Sequence, residues 1–109
     1  MFPYWEHASF CAVRIIAKGT LRSFWEQNED SEQPLKAWYQ EAIHADWANP
    51  QEVKQLYRNA SIIGDNRVVF NIAGNKYRLI VKFNYAFRIG YIRFIGTHAN
   101  YDLLDAEKV

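Results

Sequence analysis

The stretch RVVFNIAGNKYRLIVKFNY, residues 67–85, decides the fold. From residue 76 onward apolar and polar side chains alternate, which is typical of a strand with one buried face. Ala73-Gly74-Asn75 interrupts the stretch with residues that favour a turn, so the segment predicts two antiparallel strands. The apolar residues of the second strand are Tyr77, Leu79, Val81, Phe83 and Tyr85, and those between them are Lys76, Arg78, Ile80, Lys82 and Asn84.

Further β-rich runs lie on both sides of this hairpin. Ser61-Ile62-Ile63 precedes it across Gly64-Asp65-Asn66, whose residues tolerate positive φ. Residues 90–97, GYIRFIGT, form the last run, and residues 14–17, RIIA, form a short one near the start. The four runs from residue 61 onward predict an antiparallel meander that ends at His98.

The first half of the chain predicts helices. Asp30 or Ser31 can cap the second helix with Pro34 in its first turn, and residues 49–52, NPQE, form a capping box for the third. The apolar stripes are Leu21, Phe24 and Trp25; then Leu35, Trp38, Tyr39, Ala42 and Ile43; and last Val53, Leu56 and Tyr57. We therefore predict an α+β domain with N-terminal helices packed on one face of an antiparallel β-meander.

Charge is distributed unevenly along the chain. Residues 54–98 carry eight basic side chains against one acid, a net charge of +7, whereas residues 1–53 carry −4 and residues 99–109 carry −2. The total is only +1, so the overall charge conceals the basic segment. A basic surface on one side of a small domain favours a polyanionic partner, most often nucleic acid.

Composition restricts the other classes of function. A chain of 109 residues, half of them hydrophobic, has room for one domain with one core. The single cysteine, Cys11, excludes an intramolecular disulfide and favours a reducing, cytoplasmic setting. No apolar run approaches the ~18 residues of a membrane span. Three scattered histidines provide no metal-ligand spacing, and no phosphate-binding loop is present, so we predict neither metal nor cofactor.

The basic side of the sheet carries the candidate chemistry. Because side chains alternate along a strand, Asn71 and Arg78 are expected on the exposed face, with His98 at its rim and Tyr101 and Asp102 a turn further on. Cleavage of RNA through its 2′-hydroxyl requires one group that removes a proton and another that supplies one. It also requires stabilisation of charge on the phosphate. Histidine, tyrosine and guanidinium groups meet these needs without a metal ion.

Other interpretations fit the same residues. Lysines and arginines on an exposed strand often serve only as solvated charge that protects the sheet, and a histidine after a strand is often an ordinary surface side chain. The basic face could then bind RNA or DNA without cleaving it, or be neutralised by an acidic peptide of a protein partner. The residues by themselves support nucleic-acid binding more strongly than catalysis.

Four fragments resemble the HigB toxin family of the RelE-like superfamily. They are RIIAKGTL (14–21), PLKAWY (34–39), RVVFNIAGNKYR (67–78) and YIRFIGTHANYD (91–102), and their order and spacing extend the match from about residue 14 to residue 105. The resemblance implies a compact α+β microbial RNase fold. It also implies cleavage of messenger RNA in the A site of the translating ribosome and inhibition by a helix-turn-helix antitoxin, HigA.

The same resemblance implies roles for individual residues. Arg78 matches a phosphate-contacting arginine, His98 falls where related toxins carry a catalytic histidine or arginine, and Tyr101 belongs to a terminal Tyr-Asp pair. We therefore expect His98 to be a general acid or base and Tyr101 to orient the substrate or transfer a proton. Asn71, Lys76 and Arg93 are weaker candidates for RNA contact, and strict alternation places Arg93 on the opposite face from His98. The candidates for RNA contact are Asn71, Asn75, Lys76, Lys82, Arg93 and Asp102.

The start of the chain departs from the family pattern. Family members are expected to begin near Arg14, so we expect residues 13–109 to form the toxin domain. Residues 1–12 are then an extension that a misassigned start site would explain, and we expect them to pack poorly on the domain.

Overall fold

The computed structural model describes residues 13–106 and 108–109, so the expected extension lies outside the described residues. Along the described ranges the elements are β1 (Arg14–Ile16), α1 (Lys18–Gln27), a 3-10 helix (Glu29–Ser31), α2 (Glu32–His44), α3 (Pro50–Leu56), β2 (Ser61–Ile63), β3 (Arg67–Ile72), β4 (Tyr77–Asn84), β5 (Ile89–Thr97) and α4 (His98–Asp102). None of these helices is long and apolar enough to cross a membrane.

The strands form one mixed sheet in the order β1-β5-β4-β3-β2. Strands β2 to β5 pair antiparallel with their neighbours, which confirms the predicted meander. At one edge β1 pairs parallel with β5, with Ile15 opposite Gly90. A parallel pair needs a long connection, and here everything between residues 17 and 88 supplies it. Nothing within residues 14–17 indicated this distant partner.

The N-terminal helices α1, α2 and α3 cover one face of the sheet, as predicted. Trp38 of α2 meets Phe70 of β3 edge to face, with ring centroids 5.3 Å apart. Phe24 of α1 meets Tyr77 of β4 in the same manner at 5.1 Å. Such aromatic pairs add to the stabilisation from burial. The sheet residues in this core are Val68, Phe70, Ile72, Tyr77, Leu79, Val81 and Phe83.

Strand β5 contains a β-bulge. The adjacent residues Ile80 and Val81 of β4 pair with Phe94 and Ile92 of β5, which leaves Arg93 as an extra residue between them. A bulge bends the strand and resets the alternation of its side chains. Simple alternation of side chains between the two faces therefore does not predict the orientation of β5 residues on both sides of Arg93.

Polar contacts join the helical half to the sheet. Asp30 does not cap α2 as predicted, but accepts a hydrogen bond from the Tyr77 hydroxyl at 2.6 Å and forms an ion pair with Lys76. At the N-cap of α2, Ser31 makes no capping hydrogen bond through its side chain. The predicted cap of α3 is confirmed, since Asn49 Oδ1 accepts from the main-chain N–H of Glu52 at 3.0 Å. Hydrogen bonds from Lys76 and Tyr77 hold the pKa of Asp30 below its usual value.

Replacing Asp30 with Asn is expected to destabilise the fold in a pH-dependent way. A carboxyl whose pKa is lower in the folded state stabilises the fold above its unfolded pKa, near 4, and loses that contribution as the pH falls through the folded pKa. Urea unfolding followed by tryptophan fluorescence should show the parent more stable than Asp30→Asn at about pH 7, with the difference shrinking as the pH falls below about 4.

Glu26→Gln is the matched control, because Glu26 is an exposed carboxylate on α1 with no hydrogen bond or ion pair to the described residues. It should leave the free energy of unfolding unchanged across this range. A difference between parent and Asp30→Asn that stays constant with pH would contradict the proposed ionic origin.

Candidate active site on the open face of the sheet

The open face is the sheet face turned away from α1, α2 and α3. Its members are Arg67, Val69 and Asn71 of β3, Arg78, Ile80 and Lys82 of β4, and Tyr91, Arg93, Phe94 and Gly96 of β5. Directly opposed residues of antiparallel strands share a face, so Asn71 and Gly96 lie on either side of Arg78. The open face therefore presents Arg78 near the end of the sheet where β5 leads into α4.

Arg78 and His98 are in direct contact. The Arg78 Nε–H donates a hydrogen bond to His98 Nε2 at 3.1 Å. An arginine has only donors, so His98 Nε2 is an acceptor, and the imidazole in this arrangement is neutral with its proton on Nδ1. His98 thus holds a lone pair at the edge of the guanidinium group. This confirms the expectation that the two side chains share one face.

Tyr101 completes the cluster. The guanidinium carbon of Arg78 lies 4.9 Å from the centroid of the Tyr101 ring, which is a cation–π contact. His98 and Tyr101 are three residues apart on α4, the spacing that brings two side chains to one helix face. The Thr97 hydroxyl accepts from the main-chain N–H of Asn100 at 3.2 Å and so caps this short helix. Arginine, imidazole and phenol groups therefore meet at one end of the open face.

Gly96 makes room for this cluster, and sequence reasoning gave it no packing role. A Cβ atom at Gly96 would lie 2.7 Å from the ring of Phe94, closer than carbon atoms can approach. Phe94 in turn lies beside Tyr101, with ring centroids 6.5 Å apart. Glycine inside a strand marks close approach of a neighbour, and that signal was available in the Gly96-Thr97-His98 fragment.

Three other residues predicted to contact RNA are Asn71, Asn75 and Asp102, and they differ in burial and hydrogen bonding. Asn71 donates through Nδ2 to the main-chain oxygen of Asn59 at 3.0 Å, while its buried Oδ1 has no hydrogen-bond partner among the described residues. Asn75 and Asp102 are exposed and form no hydrogen bond or ion pair within the described ranges. The structure therefore places Asn71 beside Arg78 and leaves the other two side chains in solvent.

Lys76 does not join Arg78, contrary to the prediction. It lies in the turn before β4, and its amino group pairs with Asp30, which also binds the hydroxyl of the core residue Tyr77. Hydrogen bonding and the charge of Asp30 raise the pKa of Lys76. The ion pair draws this side chain toward the helices, which alternation along β4 could not indicate.

The opposite end of the open face carries Lys82 and Arg93. Lys82 forms an ion pair with Asp65 at 3.0 Å. Arg93 Nε donates at 3.2 Å to the main-chain oxygen of Val109, which also accepts from Arg67 Nε at 2.9 Å. Arg93 thus shares this face with Arg67, and the expectation that it lies opposite His98 is wrong because of the bulge.

The middle of the open face is covered, whereas the prediction was of an exposed face throughout. The C-terminal segment returns to this face beside Lys82, where the cross-strand partner Arg67 is only 4% exposed and binds Val109. Val69 and Ile80 are 1% and 0% exposed although they point away from the helices. Accessible surface therefore remains at two ends, one around Arg78 and His98 and the other around Lys82 and Arg93.

The basic segment is also less one-sided than its charge suggested. Arg88 forms an ion pair with Asp46 at 2.6 Å, and Lys76 with Asp30, so acids of the helical half neutralise both. Lys54 donates to the main-chain oxygen of Ala60. Only part of the net charge of +7 therefore reaches the open face.

A metal site is not evident at either end. Among residues 13–106 and 108–109, no three His, Cys, Asp or Glu side chains are grouped so that they could hold a metal ion.

Comparison with known proteins agrees with the fold and with the resemblance. The family model HigB_toxin, the RelE-like toxic component of a toxin-antitoxin system, matches residues 31–104. A search of curated proteins gives no match. The matched range runs from the start of α2 through the meander and α4, so it includes Arg78, His98 and Tyr101. Since the match covers more than half of the chain, this protein belongs to the HigB toxin family of RelE-like toxins.

Proposed function

We propose that this chain is the toxin of a type II toxin-antitoxin pair and acts as a metal-independent endoribonuclease that cuts messenger RNA on the translating ribosome. The observation that carries the proposal is the cluster in which Arg78 lies 3.1 Å from the acceptor nitrogen of His98 and 4.9 Å from the ring of Tyr101. Family membership supports the toxin role. The chemistry of the three side chains supports a phosphodiester substrate.

The proposed reaction divides its proton transfers between two side chains. The RNA 2′-oxygen attacks the adjacent phosphorus while its proton passes to Nε2 of His98. The bond from phosphorus to the 5′-oxygen breaks, and that oxygen takes a proton from the Tyr101 hydroxyl. The products are a 2′,3′-cyclic phosphate and a free 5′-hydroxyl.

Arg78 stabilises the phosphate during this reaction. Its guanidinium group exchanges the hydrogen bond to His98 for bonds to the non-bridging oxygens, where negative charge develops. The exchange also releases the His98 lone pair to act as a base. Together the three groups supply both proton transfers and the charge stabilisation, so the step as written uses no metal ion and no cofactor.

The proposal includes partners and a location. Messenger RNA in the ribosomal A site is the substrate, so the toxin acts in the cytoplasm. A HigA-like helix-turn-helix antitoxin holds it inactive. Asn71 beside Arg78 and Lys82 and Arg93 at the far end of the face supply additional RNA contacts. An adjacent reading frame that encodes a helix-turn-helix protein would support the proposed antitoxin.

Substitution of any of the three clustered residues should slow cleavage strongly. His98→Ala is expected to slow cleavage by about 100-fold or more, which is the typical contribution of a general acid or base. Arg78→Lys should lose most activity as well, because lysine offers a point charge and not a planar fork of donors. Tyr101→Phe keeps the ring beneath Arg78 but removes the hydroxyl that acts as the general acid, and should slow cleavage about 100-fold or more. Cleavage is measured by primer extension on a transcript in a translating extract.

Arg22→Ala serves as the control, since Arg22 lies on α1, on the helical side of the molecule, and is exposed. Arg22→Ala should cleave the transcript at the same rate as the parent. If all three site variants also cut like the parent, the site assignment fails. If the parent binds RNA but cuts no transcript, the protein is instead a binding module that uses its basic sheet face.

Gly96→Ala should reduce cleavage although none of the three reacting side chains is itself substituted. The added methyl group displaces the Phe94 ring, which lies against Tyr101. A shift of about 1 Å in a reacting group can cost up to about 100-fold in rate. We expect a loss of at least tenfold, with a cost of about 1 kcal/mol in the free energy of unfolding.

Gly19→Ala is the matched control, because a Cβ at Gly19 meets nothing within 4 Å. It should retain full cleavage and gain a few tenths to ~1 kcal/mol in stability, as alanine favours the helix. Full activity in Gly96→Ala would show that the position of Phe94 does not control Tyr101.

A further inference from the structure

A groove of about 520 Å³ opens on the open face at the far end from Arg78. Asn66, Lys82, Asn84, Tyr85, Tyr91 and Arg93 line it. Arg78 and Lys82 are four residues apart on β4, so their Cα atoms are about 13 Å apart. The groove therefore belongs to the same face as the Arg78 and His98 cluster, but it is a separate site.

Tyr91 gives this groove an aromatic wall. The residue is 36% exposed and lies directly opposite Lys82 on the neighbouring strand. No hydrogen bond ties its hydroxyl to the described residues. Tyr91 therefore presents partly exposed aromatic surface beside the Lys82 cation, and a base of single-stranded RNA can stack on such a surface.

The groove is lined by two cationic side chains, Lys82 and Arg93, whose N–H groups can donate hydrogen bonds to a ligand. Arg93 donates through Nε to the main-chain oxygen of Val109. Its two terminal guanidinium nitrogens have no hydrogen-bond partner among the described residues. Lys82 pairs with Asp65, which is exposed, and a phosphate could replace that carboxylate. Two cationic side chains make the groove a poor site for an apolar ligand and a good one for a phosphate.

Uncharged polar groups surround the ring. Asn84 Oδ1 accepts from the main-chain N–H of Phe87 at 3.2 Å, which leaves its amide N–H groups as donors. Asn66 offers a second amide side chain. The hydroxyl of Tyr85 is buried and has no hydrogen-bond partner among the described residues, and burial raises the pKa of Tyr85 to about 12, so it remains protonated. Amides beside an aromatic ring can recognise the edge of a stacked base.

We propose that this groove binds one nucleotide of the single-stranded RNA whose scissile phosphate lies at Arg78 and His98. Its base stacks on Tyr91, its phosphate contacts Arg93 and Lys82, and the amides of Asn66 and Asn84 face the base edge. The strand passes over the covered middle of the open face to reach the scissile position. The identity of the ligand rests on the proposed function, since it is the same RNA.

The test measures binding apart from cleavage. The probe is a hexanucleotide RNA with every 2′-hydroxyl methylated, so that attack by the 2′-oxygen is blocked, and with 2-aminopurine placed at each position in turn. Quenching of 2-aminopurine reports stacking, and fluorescence anisotropy of an end-labelled copy reports affinity. The parent is expected to quench one position most strongly.

Tyr91→Ala should abolish that quenching and weaken binding by about tenfold or more, on the scale of stacking one base. Tyr91→Phe retains the ring and should bind like the parent. Arg93→Ala should also weaken binding, whereas the helical-side variant Arg22→Ala should bind within twofold of the parent. Thermal unfolding of each variant confirms that its fold is intact.

The results separate the two proposals. Loss of quenching in Tyr91→Ala supports the groove even if the parent cuts no transcript, in which case only the proposed cleavage fails. Unchanged binding and quenching in Tyr91→Ala overturns the groove even if cleavage still depends on His98. Equal losses in Tyr91→Phe and Tyr91→Ala would overturn stacking, and a parent that does not bind the probe would overturn the groove.

Discussion

The central position of β4 in the sheet constrains the rest of the structure. Tyr77, Leu79 and Val81 are buried against the helices, and burial of each such side chain is worth roughly 1.5–3 kcal/mol. Because strand side chains alternate, Arg78 and Lys82 must then emerge on the other face. A register shift by one residue would turn both cations into the core, at a cost of several kcal/mol each. The position of Arg78 is therefore set by the hydrophobic core and does not depend on contacts made within the site itself.

Different local features of the backbone position the side chains at the two ends of the open face. At one end, Gly96 leaves space for Phe94, and the cap by Thr97 starts α4 so that His98 and Tyr101 both reach Arg78. At the other end, the bulge brings Arg93 to the open face, where strict alternation would not have placed it. The central strand thus carries Arg78 of the active-site cluster and Lys82 of the far end, while the bulge of β5 positions Arg93 and the cap of α4 positions His98 and Tyr101.

Much of the fold could be predicted from the sequence because its strongest signals are local. Alternation in β4 and the turn at residues 73–75 identified the hairpin, and they placed Arg78 on the face that His98 reaches. Most of the failures involve distant partners or a break in period. The local sequence around Asp30 predicts a helix cap, yet Asp30 binds Lys76, 46 residues away, and Tyr77, 47 residues away at the start of β4. The burial of Arg67 by the C-terminal segment likewise has no local signal.

The pairing of charges also bears on how an RNA substrate would be recruited. Acids of the helical half neutralise Lys76 and Arg88, Asp65 pairs with Lys82, and the total charge is only +1. Beyond a Debye length of about 8 Å such paired charges attract a polyanion weakly. Close contact is different, because Arg78 and Arg93 keep donors that a phosphate can accept once it lies within hydrogen-bond distance. A protein with this charge pattern gains little from long-range steering. The proposed presentation of the message by the ribosome would supply the local concentration that the weak field of the protein does not.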